Sequence, residues 1–376
     1  MAGRPGGLEA WTRQPSPEKR LPHTTQTQQT VSQHLTSQTH PRVAVATRRA
    51  DLAALRNRRP RRPRQHGLHL PQRKVLPSRL MKIVVHDTAS AMLDLLQRPM
   101  DERPDALREM LSPLQNVMAT VGDIDLVHMH HRLGSGFRID REDPRYLPAL
   151  RQMRDAGVWN QIEDSLAAAW ERISAAVPGI KHAETVHVVV VLGNPDDDHL
   201  TVRSAGYFGM GGFPGAIHLT IWPTETSLKK IAYGAAHELH HNVRYANVVW
   251  DPMAVTVGEH VVAEGLAEAF VRELAGEQAM GPWSKALTDA QLDSAYEKIS
   301  ADIDVAGMQN LTAYVLGDAT AQRMGQQPVG LPDFAGYGVG LRIVDAHLAA
   351  SGLTAAQSTA LSAHEILVNA GVPTNA

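Results

Sequence analysis

Beyond residue 80, apolar residues recur at three- and four-residue spacing, the periodicity of helices that bury one stripe. Leu107, Met110, Leu111, Leu114 and Val117 form such a stripe within 104–121. Thr88 or Ser90 caps a shorter helix before it, running to Leu96, and helical patterns follow over 147–156 and 159–177. The pattern changes at 185–192, where Thr-Val-His-Val-Val-Val-Val-Leu is continuous instead of alternating. That predicts a strand covered on both faces. Residues 81–85 and 216–222 read as further strands, the latter stopped by Pro223. Helical spacing returns over 228–245 and from 261 to about Leu274, with Gly276 as C-cap. Later helices start at Thr288 or Asp289, near Val339, and at Thr354, the last running to about Asn369. The expected fold class is α+β, mainly helical, with a small sheet.

One helix carries the chemistry. Ala235-Ala236-His237-Glu238-Leu239-His240-His241-Asn242 reads H-E-x-x-H across His237, Glu238 and His241. Residues i and i+4 share a helix face, so His237 and His241 can both reach one Zn²⁺. Glu238 lies one step round the helix, where it can take a proton from metal-bound water. His240 is a near-duplicate three residues after His237, but only His241 gives Glu238 its place between the ligands. The competing reading is a solvated polar helix face.

A catalytic zinc site needs a third protein ligand and an open position. Val262-Ala263-Glu264-Gly265-Leu266-Ala267-Glu268-Ala269-Phe270 offers it, with 22 residues between His241 and Glu264 for a loop and a return helix. Glu264 and Glu268 again share one face. Glu264 is the candidate ligand, and Glu268 the candidate acceptor for the far N–H of a ligand histidine. A bare Glu pair is more often solvated, but Val261, Val262, Leu266, Ala267 and Phe270 make this face apolar.

His-Glu-Leu-His-His-Asn-Val-Arg-Tyr, followed by Ala-Glu-Gly-Leu-Ala-Glu-Ala-Phe and later by Ala335-Gly336-Tyr337-Gly338-Val339-Gly340, resembles a bacterial family of predicted zinc-dependent proteases of the gluzincin type. The resemblance extends from Met81 to the C-terminus. Gluzincins take two histidines from H-E-x-x-H and a downstream Glu, which implies His237, His241 and Glu264 here. It also implies an edge strand before the zinc helix that pairs with substrate backbone. By position, Gly215, Ala216, Ile217 and His218 are its candidates. On this basis 81–180 is expected to be a helical N-terminal subdomain, and 181–376 a zincin-like metallopeptidase domain.

Composition narrows the alternatives. The chain has no Cys, which excludes disulfides and thiolate zinc sites. No apolar run approaches the roughly 20 residues of a membrane span. The net charge of −2 hides an asymmetry: residues 1–80 hold 16 Lys+Arg against 3 Asp+Glu, leaving 21 against 36 for the rest. That first segment is rich in Arg, Pro, Gln, Thr and Ser and lacks periodicity, so it is expected to be a disordered basic tail. It has no apolar core of a secretory signal. Met81-Lys82-Ile83-Val84-Val85 reads as an ordinary cytoplasmic N-terminus entering a strand, with translation starting at Met81 and the tail outside the native protein. Nucleic acid is not an expected partner except through that tail.

Other stretches invite chemistry and carry less. His128, His130 and His131 cluster without a Glu before a Gly-rich turn, which favours a polar loop near the cleft over a second metal site. Asp196-Asp197-Asp198 lacks calcium-loop spacing. The Gly-rich run 206–215 lacks the Lys-Ser/Thr ending of a phosphate loop. Tyr337 lies between glycines at a helix start, where its phenol could donate to an oxyanion; the alternative is a core aromatic.

The expected function is therefore hydrolysis of peptide bonds by a cytoplasmic zinc metallopeptidase, with Zn²⁺ as cofactor and a peptide or protein as substrate. Zinc would sit on His237, His241 and Glu264, with Glu238 as general base and Tyr337 at the oxyanion. A closed pocket would favour instead a zinc amidohydrolase acting on a small substrate. Salt-sensitive DNA binding through the tail would favour a catalytically silent zinc-binding protein.

Overall fold

Four strands form one mixed sheet: β1 (Lys82–Val85), β2 (Thr185–Leu192), β3 (Tyr207–Phe213) and β4 (Ala216–Ile221). Their order is β1-β2-β4-β3. β1, β2 and β4 run parallel, and β3 runs antiparallel to β4 as the first arm of the hairpin that β4 completes. The computed structural model describes residues 81–118, 125–132, 134–251 and 253–374, all within the unit Arg73–Ala376. The basic segment 1–80 and the far end of the helix expected over 104–121 lie outside the described residues.

The continuous apolar run of β2 is buried from Val188 to Leu192, and every residue of β4 is buried. Helices therefore cover both faces of the sheet. α1 (Thr88–Gln97) and α2 (Arg103–Met118) pack on β2. Asp87, not Thr88 or Ser90, caps α1, accepting the Ser90 N–H at 3.1 Å. α3 (Leu126–Arg132), α4 (Tyr146–Asp155) and α5 (Val158–Ala176) complete the first part of the chain. β1, from this part, pairs along β2, so both parts contribute to one sheet and one apolar core.

α6 (Glu225–Tyr245) lies along β3 and β4 and begins with a capping box between Thr224 and Ser227. α7 (Val257–Ala275) follows, with Thr256 accepting the Glu259 N–H at 3.1 Å. The remaining helices are α8 (Asp289–Ala301), α9 (Met308–Val315), α10 (Asp318–Arg323), α11 (Ala335–Ser351), α12 (Ala355–Ser358) and α13 (Ala363–Asn369). α11 starts four residues earlier than its apolar spacing predicts, which brings Tyr337 into its first turn. The single helix expected from Thr354 to Asn369 is broken in two, because Ser362 opens a fresh cap by accepting the Glu365 N–H at 3.2 Å.

Two sequence expectations are corrected. The segment from Gly215 to His218 is not an edge. β4 is paired on one side to β2 and on the other to β3, so its backbone is committed. The edge beside the zinc-motif helix is β3, the Gly-rich run that had no strand pattern. The histidine stretch 126–132 is a helix, not a loop, and its His130 is fully buried, with Nε2 2.9 Å from the Phe137 carbonyl.

α7 and α11 pack backbone to backbone. A Cβ on Gly265 would stand 2.1 Å from the Gly340 carbonyl oxygen, and one on Gly340 would stand 2.1 Å from that of Val261. These obstacles are backbone and cannot swing aside. Gly265→Ala is expected to cost about 1–3 kcal/mol or more of stability by overpacking. It should also weaken metal binding, because Gly265 follows Glu264. A urea midpoint equal to wild type would refute this.

Candidate metal centre

α6 and α7 cross so that three side chains meet. His237 Nε2 and His241 Nε2 are 3.0 Å apart, and Glu264 Oε2 lies 3.2 Å from the first and 3.3 Å from the second. Among the described residues this is the one group of three that could hold a metal ion. Four-coordinate zinc with bonds of about 2.0–2.1 Å holds its ligand atoms roughly 3.3 Å apart. Two imidazole nitrogens and one carboxylate oxygen at 3.0–3.3 Å fit such an ion in both donor type and spacing.

His237 is held from behind. Its Nδ1 is 2.8 Å from Glu268 Oε1, which directs the Nε2 lone pair to the cluster. Glu268 is buried and satisfied by three further donors: the Gly281 N–H at 2.9 Å, the Trp283 indole N–H at 2.7 Å, and the Ser284 hydroxyl. Sequence reasoning missed these three. They lie 13–16 residues from Glu268, in and just before a short 3₁₀ turn over Pro282–Lys285, with no periodicity to mark them. The only available signal was that a buried carboxylate needs more than one donor.

His241 is oriented differently. Tyr245, one turn later, stacks on its ring with centroids 5.8 Å apart and planes 7° from parallel, and Trp250 lies against Tyr245 at 4.0 Å.

Burial opposes charge on His237, but the Glu264 and Glu268 carboxylates outweigh it and hold its proton well above the usual imidazole range. Burial likewise opposes charge on Glu264, and His241 and His237 overcome it, keeping that carboxyl well below its usual range. The protein thus concentrates buried negative charge where a cation would sit. Glu238 is the exception. Burial raises its pKa and Glu264 adds to the effect, against the opposing pull of His237 and His241.

The edge strand passes directly over Glu238. A Cβ on Gly209 would fall 2.5 Å from Glu238 Cγ, and one on Gly211 would fall 2.3 Å from the Glu238 carbonyl oxygen. A side chain at Gly211 would push the strand off the helix backbone, and one at Gly209 would displace the Glu238 side chain. Asn242 fastens it there. Its side-chain oxygen accepts the Gly215 N–H at 2.7 Å, and its amide nitrogen faces the carbonyls of Gly211, Phe213 and Ala216 at 2.8–3.0 Å. Gly215 therefore belongs to the turn of the hairpin, and Ala216, Ile217 and His218 to the interior strand, away from a free edge.

Tyr337 joins the cluster. Its ring stacks beside His237 at 6.3 Å, and its hydroxyl reaches the Glu264 carboxylate. Burial, and then the charges of Glu264, Glu238 and Glu268, keep its proton on far above the usual phenol range, so it is a hydrogen-bond donor. His240, the near-duplicate, points elsewhere. It is fully buried, its Nε2 lies 3.3 Å from the Thr359 hydroxyl, and its ring packs on Phe270.

The model of a family described as Predicted Zn-dependent protease (DUF2268) matches residues 163–368, more than half of the chain and all of α6, α7 and α11. The uncharacterized protein YjfC of Bacillus subtilis is 38% identical over 167 residues, 44% of this chain and 56% of its own length. The uncharacterized protein YjaZ of the same organism is 30% identical over 132 residues, 35% of this chain and 47% of its own. The chain thus spans about half the length of the curated relatives it matches. No solved structure matches. No described helix is long and apolar enough to cross a membrane. The extent of the family match places this chain within the family of predicted Zn-dependent proteases.

Proposed function

We propose that this chain is a gluzincin-type zinc peptidase that cleaves peptide bonds with water. The observation that carries this reading is the convergence of His237, His241 and Glu264 with Glu238 beside them, beneath the free edge of β3. Zinc bound there would polarise the scissile carbonyl and activate a water. Glu238 would take a proton from the attacking water and pass it to the leaving amine, and its burial strengthens it as a base. Glu268 keeps His237 in the tautomer that offers Nε2. Tyr337 donates its hydroxyl to the oxygen that gains negative charge.

The substrate backbone adds along β3, whose outer edge pairs with no described strand. An extended edge suits a peptide better than a small amide. We expect about one Zn²⁺ per chain by elemental analysis of protein purified without chelator in zinc-supplemented medium, together with cleavage of a generic peptide pool that chelation abolishes. Protein free of zinc under those conditions would overturn the proposal.

A further inference from the structure

Glu264 has two carboxylate oxygens, and the cluster uses one. Oε2 faces His237 and His241. Oε1 faces His260, which lies one turn earlier on α7, its Nε2 3.7 Å away. That contact is longer than a formed hydrogen bond but within ion-pair reach. His260 sits at the rim of the centre, its side chain 21% exposed, with its Nδ1 buried and without a partner. The edge of the Trp250 ring backs it at 5.9 Å and 87°. The groups whose charge reaches it are Glu264 and His241.

We propose that His260 is a positioning residue for Glu264: its Nε2–H holds Oε1, so that Glu264 offers Oε2 alone to a metal and leaves a coordination position open. The inference rests on the zinc-peptidase reading and extends it to a residue outside the H-E-x-x-H and Glu ligand set. The physical reason is competition. A carboxylate with both oxygens free can swing to bind an ion through both, filling the place where water must enter. A donor on the far oxygen opposes that swing, as Glu268 opposes rotation of the His237 ring. Trp250 belongs to the same arrangement, since it touches both His260 and Tyr245, the ring stacked on His241.

The test uses the full chain, with metal affinity and a spectrum as readouts. Zinc affinity is measured by competition with a chromophoric chelator for wild type, His260→Ala, His260→Gln and Glu264→Ala, alongside the melting temperature of each metal-free protein. Cobalt(II) is then substituted and its visible absorption recorded. His260→Ala is expected to lose about 10–100-fold in zinc affinity. Its cobalt band should weaken, as it does when coordination number rises above four. His260→Gln, which keeps an N–H donor of similar reach, should recover most of both. Affinity and spectrum unchanged in His260→Ala would overturn the proposal, as would a Gln variant no better than Ala. A loss as complete as that of Glu264→Ala would make His260 a ligand, not a positioning residue. Wild type that binds neither zinc nor cobalt would remove the zinc-peptidase reading itself and this inference with it.

Discussion

Glu238→Gln should keep its zinc and its melting temperature while losing about 10²–10⁴-fold of peptide hydrolysis. The substitution preserves shape, so Gly209 and Gly211 still lie against it, but an amide cannot accept the proton. Neighbouring variants should fail differently. Glu264→Gln replaces the carboxylate among the proposed ligands, so metal affinity itself should fall. Tyr337→Phe removes one donor from the cluster, so metal should stay and rate should drop by less than in Glu238→Gln. The readouts are bound zinc, melting temperature and turnover on a peptide that the wild type cleaves. Loss of zinc from Glu238→Gln would reassign it as a ligand, and three variants matching wild type would remove all three roles.

Acid should destabilise the metal-free protein through two histidines outside the centre. Burial pushes His218 down to about 4, with no nitrogen of its ring partnered. Burial, and then the neighbouring charges of His131 and His218, push His130 down to about 3, against the opposing hydrogen bond to Phe137. Both values lie below the ordinary imidazole value of 6.5. Above pH 6.5 the folded and unfolded states are both neutral at these sites and the contribution is whole. As pH falls below that value the unfolded chain takes up protons that the folded chain refuses, and stability drops by about 1.4 kcal/mol per pH unit for each histidine. Between about pH 6.5 and 4 the two together remove several kcal/mol. His240, also lowered by burial, acts in the same direction, whereas Glu238, raised by burial, opposes it near its own titration. The measurement is the urea midpoint of chelator-treated protein against pH for wild type and His218→Leu. The variant should show a shallower fall over this window, and identical slopes would show that His218 is not held neutral.

The centre was legible in sequence because its core is local. His237 and His241, and Glu264 and Glu268, are i, i+4 pairs, and helix periodicity alone places each pair on one face. His260 bears the same relation to Glu264, so that signal was present too. β2 was legible because an unbroken β-branched run suits a strand buried on both faces and is poorly suited to a helix or a solvated loop.

What tertiary structure decided is how those local faces meet. The packing of α7 on α11 depends on Gly265 and Gly340, whose missing side chains let the two backbones touch, and no periodicity marks such a contact. The edge strand was misplaced for the same reason. β4 has the apolar sequence of a strand and is interior, whereas β3, at the edge of the sheet, is rich in glycine because Gly209 and Gly211 lie against Glu238. The donors that satisfy Glu268 and the Asn242 clamp on the hairpin join residues 13–31 positions apart, a spacing that no helical or strand repeat sets. Sequence sets which groups a short element presents together. Long-range packing and the need to satisfy every buried polar atom decide what those groups face.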